Sequence, residues 1–167
     1  MRTRKIQQGV GLMEVLVAML VLAIGVLGFV ALQYRAVEAT AESSSRVQAI
    51  NLARDLAERV RVNRGQAELY IEEISDPDKQ LVFSTNCFTA NCTPAQLADF
   101  DVSQVVSRAR SIGMTMNAIT CRGNSDGRNC IYVAWNDTSA TDGTGTADCT
   151  NNTAYNPSST CLIMELY

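Results

Sequence analysis

Apolar residues crowd one stretch near the start of the chain and then thin into periodic patterns. From Val15 to Leu32 the sequence reads VLVAMLVLAIGVLGFVAL, eighteen residues without a charge. As a helix, at about 1.5 Å per residue, they nearly span the hydrocarbon core of a bilayer. Beyond Leu32 the pattern turns amphipathic. Val47, Ile50, Ala53, Leu56, Ala57 and Val60 recur at spacings of three and four, one face of a helix, while Arg46, Arg54, Asp55, Glu58, Arg59 and Arg61 cover the others. Asn63-Arg64-Gly65 reads as the C-terminal cap. The two patterns join into one helix from Val10 to Arg64, about 80 Å long. Its second half needs an apolar partner, and a small β-sheet downstream is the expected one.

Later signals are shorter. Asp76-Pro77-Asp78 marks a turn and Leu81–Phe83 a short strand. Thr93-Pro94-Ala95-Gln96 reads as a helix start, with Thr as N-cap and Pro at the first position. Leu97, Phe100 and Val105 or Val106 then line its inner face. Gly113–Thr120 alternates weakly, Ile131–Trp135 is the better strand, and the apolar Leu162–Tyr167 closes the chain. Asn136–Thr160, rich in Thr, Asn, Asp, Gly and Ser, reads as a long surface loop. The expected fold is α+β: a long N-terminal α-helix, with a membrane-spanning half and an amphipathic half, packed on a small antiparallel β-sheet of three or four strands in a disulfide-rich head.

Charge sharpens this picture. Arg2, Arg4 and Lys5 precede the apolar run, which places the N-terminus in the cytoplasm and the rest outside. From Gly65 onward there are five basic against twelve acidic residues, a net of −7. That argues against nonspecific nucleic-acid binding, which needs phosphate-neutralising Lys and Arg. The chain has six cysteines and no histidine, so most zinc, haem and His-dependent catalytic schemes lose their usual partner. No cofactor is expected. All six cysteines follow position 86 and are even in number, as disulfides in an oxidising compartment are. A Cys-only metal site is the competing reading, and no pair is spaced as CxxC. Proximity pairs Cys87 with Cys92, Cys121 with Cys130 and Cys149 with Cys161, although six cysteines admit other pairings. Asp137, Asp142 and Asp148 share one Gly-rich loop and form a calcium candidate, set against solvated turn acids; their spacing matches no EF-hand.

No small-residue cleavage site follows the apolar run, as an ordinary secretory signal would require. The unusual feature precedes it: Gln8-Gly9-Val10-Gly11-Leu12-Met13-Glu14. A carboxylate at the edge of an apolar helix is costly in lipid and marks function, unless it merely reaches the headgroup layer. The segment resembles the class III signal of type IV prepilins: a short basic leader ending in Gly, an apolar first mature residue, Glu at the fifth, then an apolar helix. The resemblance implies the type IV pilin fold and cleavage by a prepilin peptidase between Gly9 and Val10. It further implies N-methylation of Val10, and an assembly and register role for Glu14 through pairing with a neighbouring subunit's N-terminal amine. Val10 stands where Phe or Met is commoner, and Gly11 where Ser or Thr is frequent. Gly25 and Gly28 weaken the apolar helix by about 1 kcal/mol each relative to Ala. Helix breakers here are similar to those of pilins, and close packing of a neighbouring helix is the equal alternative.

The wording from Gly11 to Ala18 and from Ala23 to Gly25, together with Cys92–Ala98 and Tyr132–Trp135, is similar to PilV-type minor pilins. That likeness implies a leader at 1–9, a transmembrane and assembly helix at 10–32, an amphipathic half at 33–64 and a periplasmic head at 65–167. The implied function is a minor subunit that helps initiate a type IV pilus, used in twitching motility, adhesion and DNA uptake, and is built into it. Its implied partners are other minor pilins, the major pilin, the prepilin peptidase, the inner-membrane assembly platform and membrane lipid. The implied location is the inner membrane, then the cell-surface pilus. A pseudopilin of a type II secretion system shares the leader and the Glu and is the alternative. A membrane-anchored enzyme is disfavoured, because no His, nucleophile elbow or Walker loop is present.

Overall fold

The computed structural model describes residues 11–123 and 125–166. The chain divides into two units, residues 1–43 and residues 44–167. A single helix, α1 (Leu12–Val62), begins in the first and ends in the second. In the first unit every side chain from Gly11 to Ala41 is exposed.

In the second unit α1 buries Ala49, Leu52, Ala53, Leu56 and Val60. This stripe is rotated from the one the sequence suggested: Val47 is 54% exposed, and Ile50 and Ala57 are only half-buried. Small Ala49 and Ala53 let the head approach closely, which hydrophobicity alone does not signal. Nor does α1 end in a glycine cap. The Asn63 amide nitrogen donates to the Pro94 carbonyl at 2.7 Å, and a 3-10 turn at Arg64–Gln66 leads into α2 (Ala67–Ser75), a helix the sequence reading missed. Residues 76–93 then run without helix or strand, so Leu81–Phe83 forms no strand. Phe83 instead meets Phe100 edge-on at 5.2 Å, and Phe88 meets the same ring at 5.0 Å.

Helix α3 (Pro94–Ser111) starts with a full capping box: the Thr93 hydroxyl accepts from the Gln96 N–H, and the Gln96 side chain accepts from the Thr93 N–H. Its buried face is Ala98, Phe100, Val102, Val105, Val106 and Ala109, with Leu97 half-buried. Gly113 at φ 75° then reverses the chain, in the left-handed region where glycine carries no Cβ penalty.

Strands β1 (Met114–Thr120), β2 (Asn129–Trp135) and β6 (Cys161–Glu165) form an antiparallel sheet in the order β1-β2-β6. Met116 faces Val133, and Tyr132 faces Ile163. The 136–160 segment is not an irregular loop. It holds a second sheet of β3 (Ser139–Asp142), β4 (Asp148–Asn151) and β5 (Ala154–Tyr155), in which β3 and β4 run parallel. Its polar residues bond to one another, which is why their composition misled. The Thr150 hydroxyl donates to Asp142 at 2.7 Å, and Asp148 accepts from the Thr141 hydroxyl and from the Gly145 N–H.

Central strand β2 is covered on both faces. Ile131, Val133 and Trp135 join the main core with α1, α2 and α3, while Tyr132 and Ala134 join a second, smaller core with Ala140 and four cysteines. A polar group sits within the main core. Asp101 of α3, 7% exposed, accepts from the Arg59 guanidinium of α1 and, at 2.6 Å, from the Tyr70 hydroxyl of α2. Arg59 also donates to Asp55 at 2.9 Å. Burial lowers the Arg59 pKa, but hydrogen bonds to Asp55 and Asp101 outweigh it and leave it raised. Burial, then the Asp101 hydrogen bond, push Tyr70 well above the ordinary phenol value. Buried Gln80 does similar work nearby, donating to the Ile74 and Met116 carbonyls at 2.6 and 2.9 Å and accepting from Arg110 at 2.9 Å.

Two predictions follow from this packing. Leu56, 1% exposed, should cost about 2–5 kcal/mol as Leu56→Ala. Val47→Ala should cost under about 0.5 kcal/mol. Denaturant titration of both variants checks which face is buried; equal losses would refute the stripe. Tyr70 gives a pH signature. Its pKa is raised on folding, so its contribution is intact below the unfolded value of 10.0 and is lost as pH rises beyond it. Melting curves from pH 8 to 11 should fall less steeply for Tyr70→Phe than for wild type.

Candidate functional site

The N-terminal helix is built from residues that have nothing to bury against in their own unit. Large apolar side chains from Leu12 to Leu32 are exposed, Leu12 by 78% and Leu32 by 71%. The helix is long and apolar enough to cross a membrane. Its first turn is closed by the Gly11 carbonyl, which accepts from the N–H groups of Glu14 at 2.8 Å and Val15 at 3.3 Å. Glu14 lies in that turn, where a carboxylate is favoured by the positive end of the helix dipole. At about 100° per residue, Glu14 shares a stripe with Ala18, Val21, Gly25, Gly28 and Leu32. A Cβ added at Gly25 or Gly28 would meet nothing within 4 Å. Neither glycine is therefore demanded by the chain's own packing. Gly9 and Val10 lie outside the described residues.

The cysteines form three bridges: Cys87–Cys92, Cys121–Cys130 and Cys149–Cys161. The first fastens the 76–93 segment, which is further held by Asp99 accepting from the Ser84 N–H at 2.8 Å. The second closes the β1–β2 hairpin, and the third ties β4 to β6. The last two pack together in the second core. Of the three loop aspartates, Asp142 is engaged by Arg122 at 2.9 Å and by Thr150. Asp148 is engaged by Thr141 and Gly145, and Asp137 stands exposed elsewhere. Among the described residues no three His, Cys, Asp or Glu side chains gather as a metal would need.

Residues 4–30 match the prokaryotic N-terminal methylation motif, and residues 31–103 match the model of type IV pilin Tt1218. The chain is a type IV pilin-like protein. No curated protein and no solved structure matches it. Type IV pilins are structural subunits that associate with other pilins, and the likeness to them covers residues 4–103. The matched span runs across positions 9, 10 and 14. The pilin match stops inside α3, so both sheets and two of the three bridges lie beyond it. The pilin head's internal hub, Asp101 with Arg59 and Tyr70, escaped the sequence reading. Its members are 42 and 31 residues apart, and an Asp within a helix ordinarily reads as solvated.

The bridges should differ in weight. Cys149 and Cys161 are 0% and 6% exposed and close a separation of 12 residues. Cys87 and Cys92 are half-buried and only 5 apart. Replacing Cys149 and Cys161 together by Ala should cost about 2–4 kcal/mol, and replacing Cys87 and Cys92 clearly less. Thermal unfolding of the two double variants checks the order.

Proposed function

We propose that this pilin is a minor, PilV-type subunit that helps initiate a type IV pilus and is then built into it. In this reading a prepilin peptidase cuts between Gly9 and Val10 and the new amine of Val10 is methylated. The apolar helix holds the subunit in the inner membrane, with the head in the periplasm, until the assembly platform extracts it. The observation that carries the reading is the methylation motif at 4–30, set on a helix whose side chains are all exposed to Ala41. A surface of that size is unstable in water and needs lipid or other helices around it.

Glu14 supplies the assembly chemistry. In lipid, the helix end lies near the headgroups and the carboxylate keeps water. In a bundle of helices that water is gone, and a lone carboxylate or a lone amine is strongly disfavoured. Pairing Glu14 with the terminal amine of a neighbouring subunit answers both, and it fixes the axial register because no other acidic residue lies between Met1 and Val37. The three bridges suit a head matured in an oxidising compartment.

Glu14→Ala tests the role. Insertion needs only the basic leader and the apolar run, and cleavage needs Gly9. The variant should therefore be stable, membrane-held and cleaved, yet depleted at least tenfold from sheared pili, with Glu14→Asp intermediate. The expected penalty, about 3–5 kcal/mol for an unpaired buried charge, is ample for such a loss. Equal incorporation of Glu14→Ala and wild type would remove the pairing role. Loss of protein secretion with pili unaffected on deleting the gene would favour a type II secretion pseudopilin instead.

A further inference from the structure

A cleft of about 450 Å³ opens in the head where the end of α2, the C-terminal part of α3, β1 and the β2–β3 connection meet. Its polar wall is mixed in a particular way. Arg110 offers only donors, Asp137 only acceptors, and Asn117, Asn136, Ser139 and Thr141 offer both. Between them the exposed Pro77 ring contributes apolar surface, while Met116 and Ala140 back the wall from the cores, 3% and 5% exposed.

Several of these groups are held in place before any ligand arrives. Arg110 donates to Gln80 Oε1 at 2.9 Å, and Gln80, 6% exposed, is itself fixed by the Ile74 and Met116 carbonyls. Thr138 is tied to Thr160 at 3.1 Å. Asn136 is held at φ 56°, a left-handed conformation that sets the direction of the lip. The Asn117 amide nitrogen donates to the Ala140 carbonyl at 3.0 Å, while its Oδ1 is buried and has no partner among the described residues.

We propose that this cleft is a saccharide-binding site. A sugar presents vicinal hydroxyls, each both donor and acceptor, which the mixed polar wall complements, alongside C–H faces for which the Pro77 ring is the apolar contact. The cation and the carboxylate share the cleft, so a neutral sugar suits it better than an anion. The head's net −7 from Gly65 onward works against anions as well. The site lies wholly within residues 75–141 and does not depend on the role of Glu14.

Full-length protein in a zwitterionic, sugar-free detergent can be screened by saturation-transfer NMR against neutral oligosaccharides built from glucose, galactose, mannose and N-acetylglucosamine. Wild type should show transfer to at least one. Asp137→Ala and Arg110→Gln, both at exposed positions, should each weaken that binding tenfold or more while the melting temperature of Asp137→Ala stays unchanged. Absence of transfer to every sugar would overturn the proposal, and so would transfer that survives in both variants. Displacement of the bound sugar by inorganic phosphate at millimolar concentration would also overturn it, because that would make the cleft an anion site.

Discussion

The head is organised around one buried carboxylate. Asp101 reaches α1 through Arg59 and α2 through Tyr70, so a single residue of α3 joins all three helices. Removing a charge from water is expensive unless it is paired and hydrogen-bonded, and Asp101 has both kinds of partner. The arrangement also answers a problem of register. The buried face of α1 is a run of Ala and aliphatic residues that would tolerate sliding by a turn. A shift of four residues one way would set Asp55 against Asp101, carboxylate to carboxylate. The other way would offer the neutral Asn63 in place of Arg59. Only the observed register gives the buried carboxylate a cation, and Asp55 then steadies that cation from the preceding turn. Arg108 closes the outer side of the group at 3.3 Å from Asp55, where solvent leaves such a pair worth little.

The same economy governs the sheets. Strand β2 is buried on both faces, with helices on one side and the second sheet on the other. The second side is built from Tyr132, two alanines and four cysteines, a core too small in side-chain volume to hold a segment this polar by hydrophobic burial alone. Two bridges compensate by fastening the hairpin and the β4–β6 crossing directly. The hydroxyl and carboxylate groups of β3 and β4 bond among themselves, so they do not bring unsatisfied groups against β2. This half of the head lies beyond the reach of the pilin match, and it is the half in which residues are chosen for mutual hydrogen bonding and cross-linking more than for aliphatic packing.

What could be read from the chain, and what could not, follows from how local each signal is. The long helix, the Thr93-Pro94 start and the strands read at 113–120 and 131–135 announce themselves within a few residues. The true inner face of α1 does not, because Ala49 is too small to register as hydrophobic and Val47, which does register, is exposed. Helix α2 is hidden behind Gly65, which reads as a stop although the chain there only tightens into a 3-10 turn. The second sheet was hidden by its composition: Thr, Asn and Asp signal loops when they face water, and here they face one another. At the N-terminus, Glu14 stands out as the one acid beside an uncharged run, whereas the Asp101 hub required knowing that positions dozens of residues apart converge.

The two units make different demands on their surroundings. The core of the second begins at Ala49 and closes on α2, α3 and the sheets without needing any residue of the first. Selection for the head's stability therefore gives no reason for residues 15–32 to be apolar, nor for Gly25 and Gly28 to lack side chains when the space around them is open. In water such a stretch would be a liability, both as exposed apolar surface and as a helix weakened by glycine. In lipid the apolar residues are required, and among close-packed helices the glycines and Ala18 on the Glu14 stripe become points of near approach. The sequence of the first unit is thus accounted for by an environment that the chain does not itself supply, and Glu14 is the one acid beside its uncharged run.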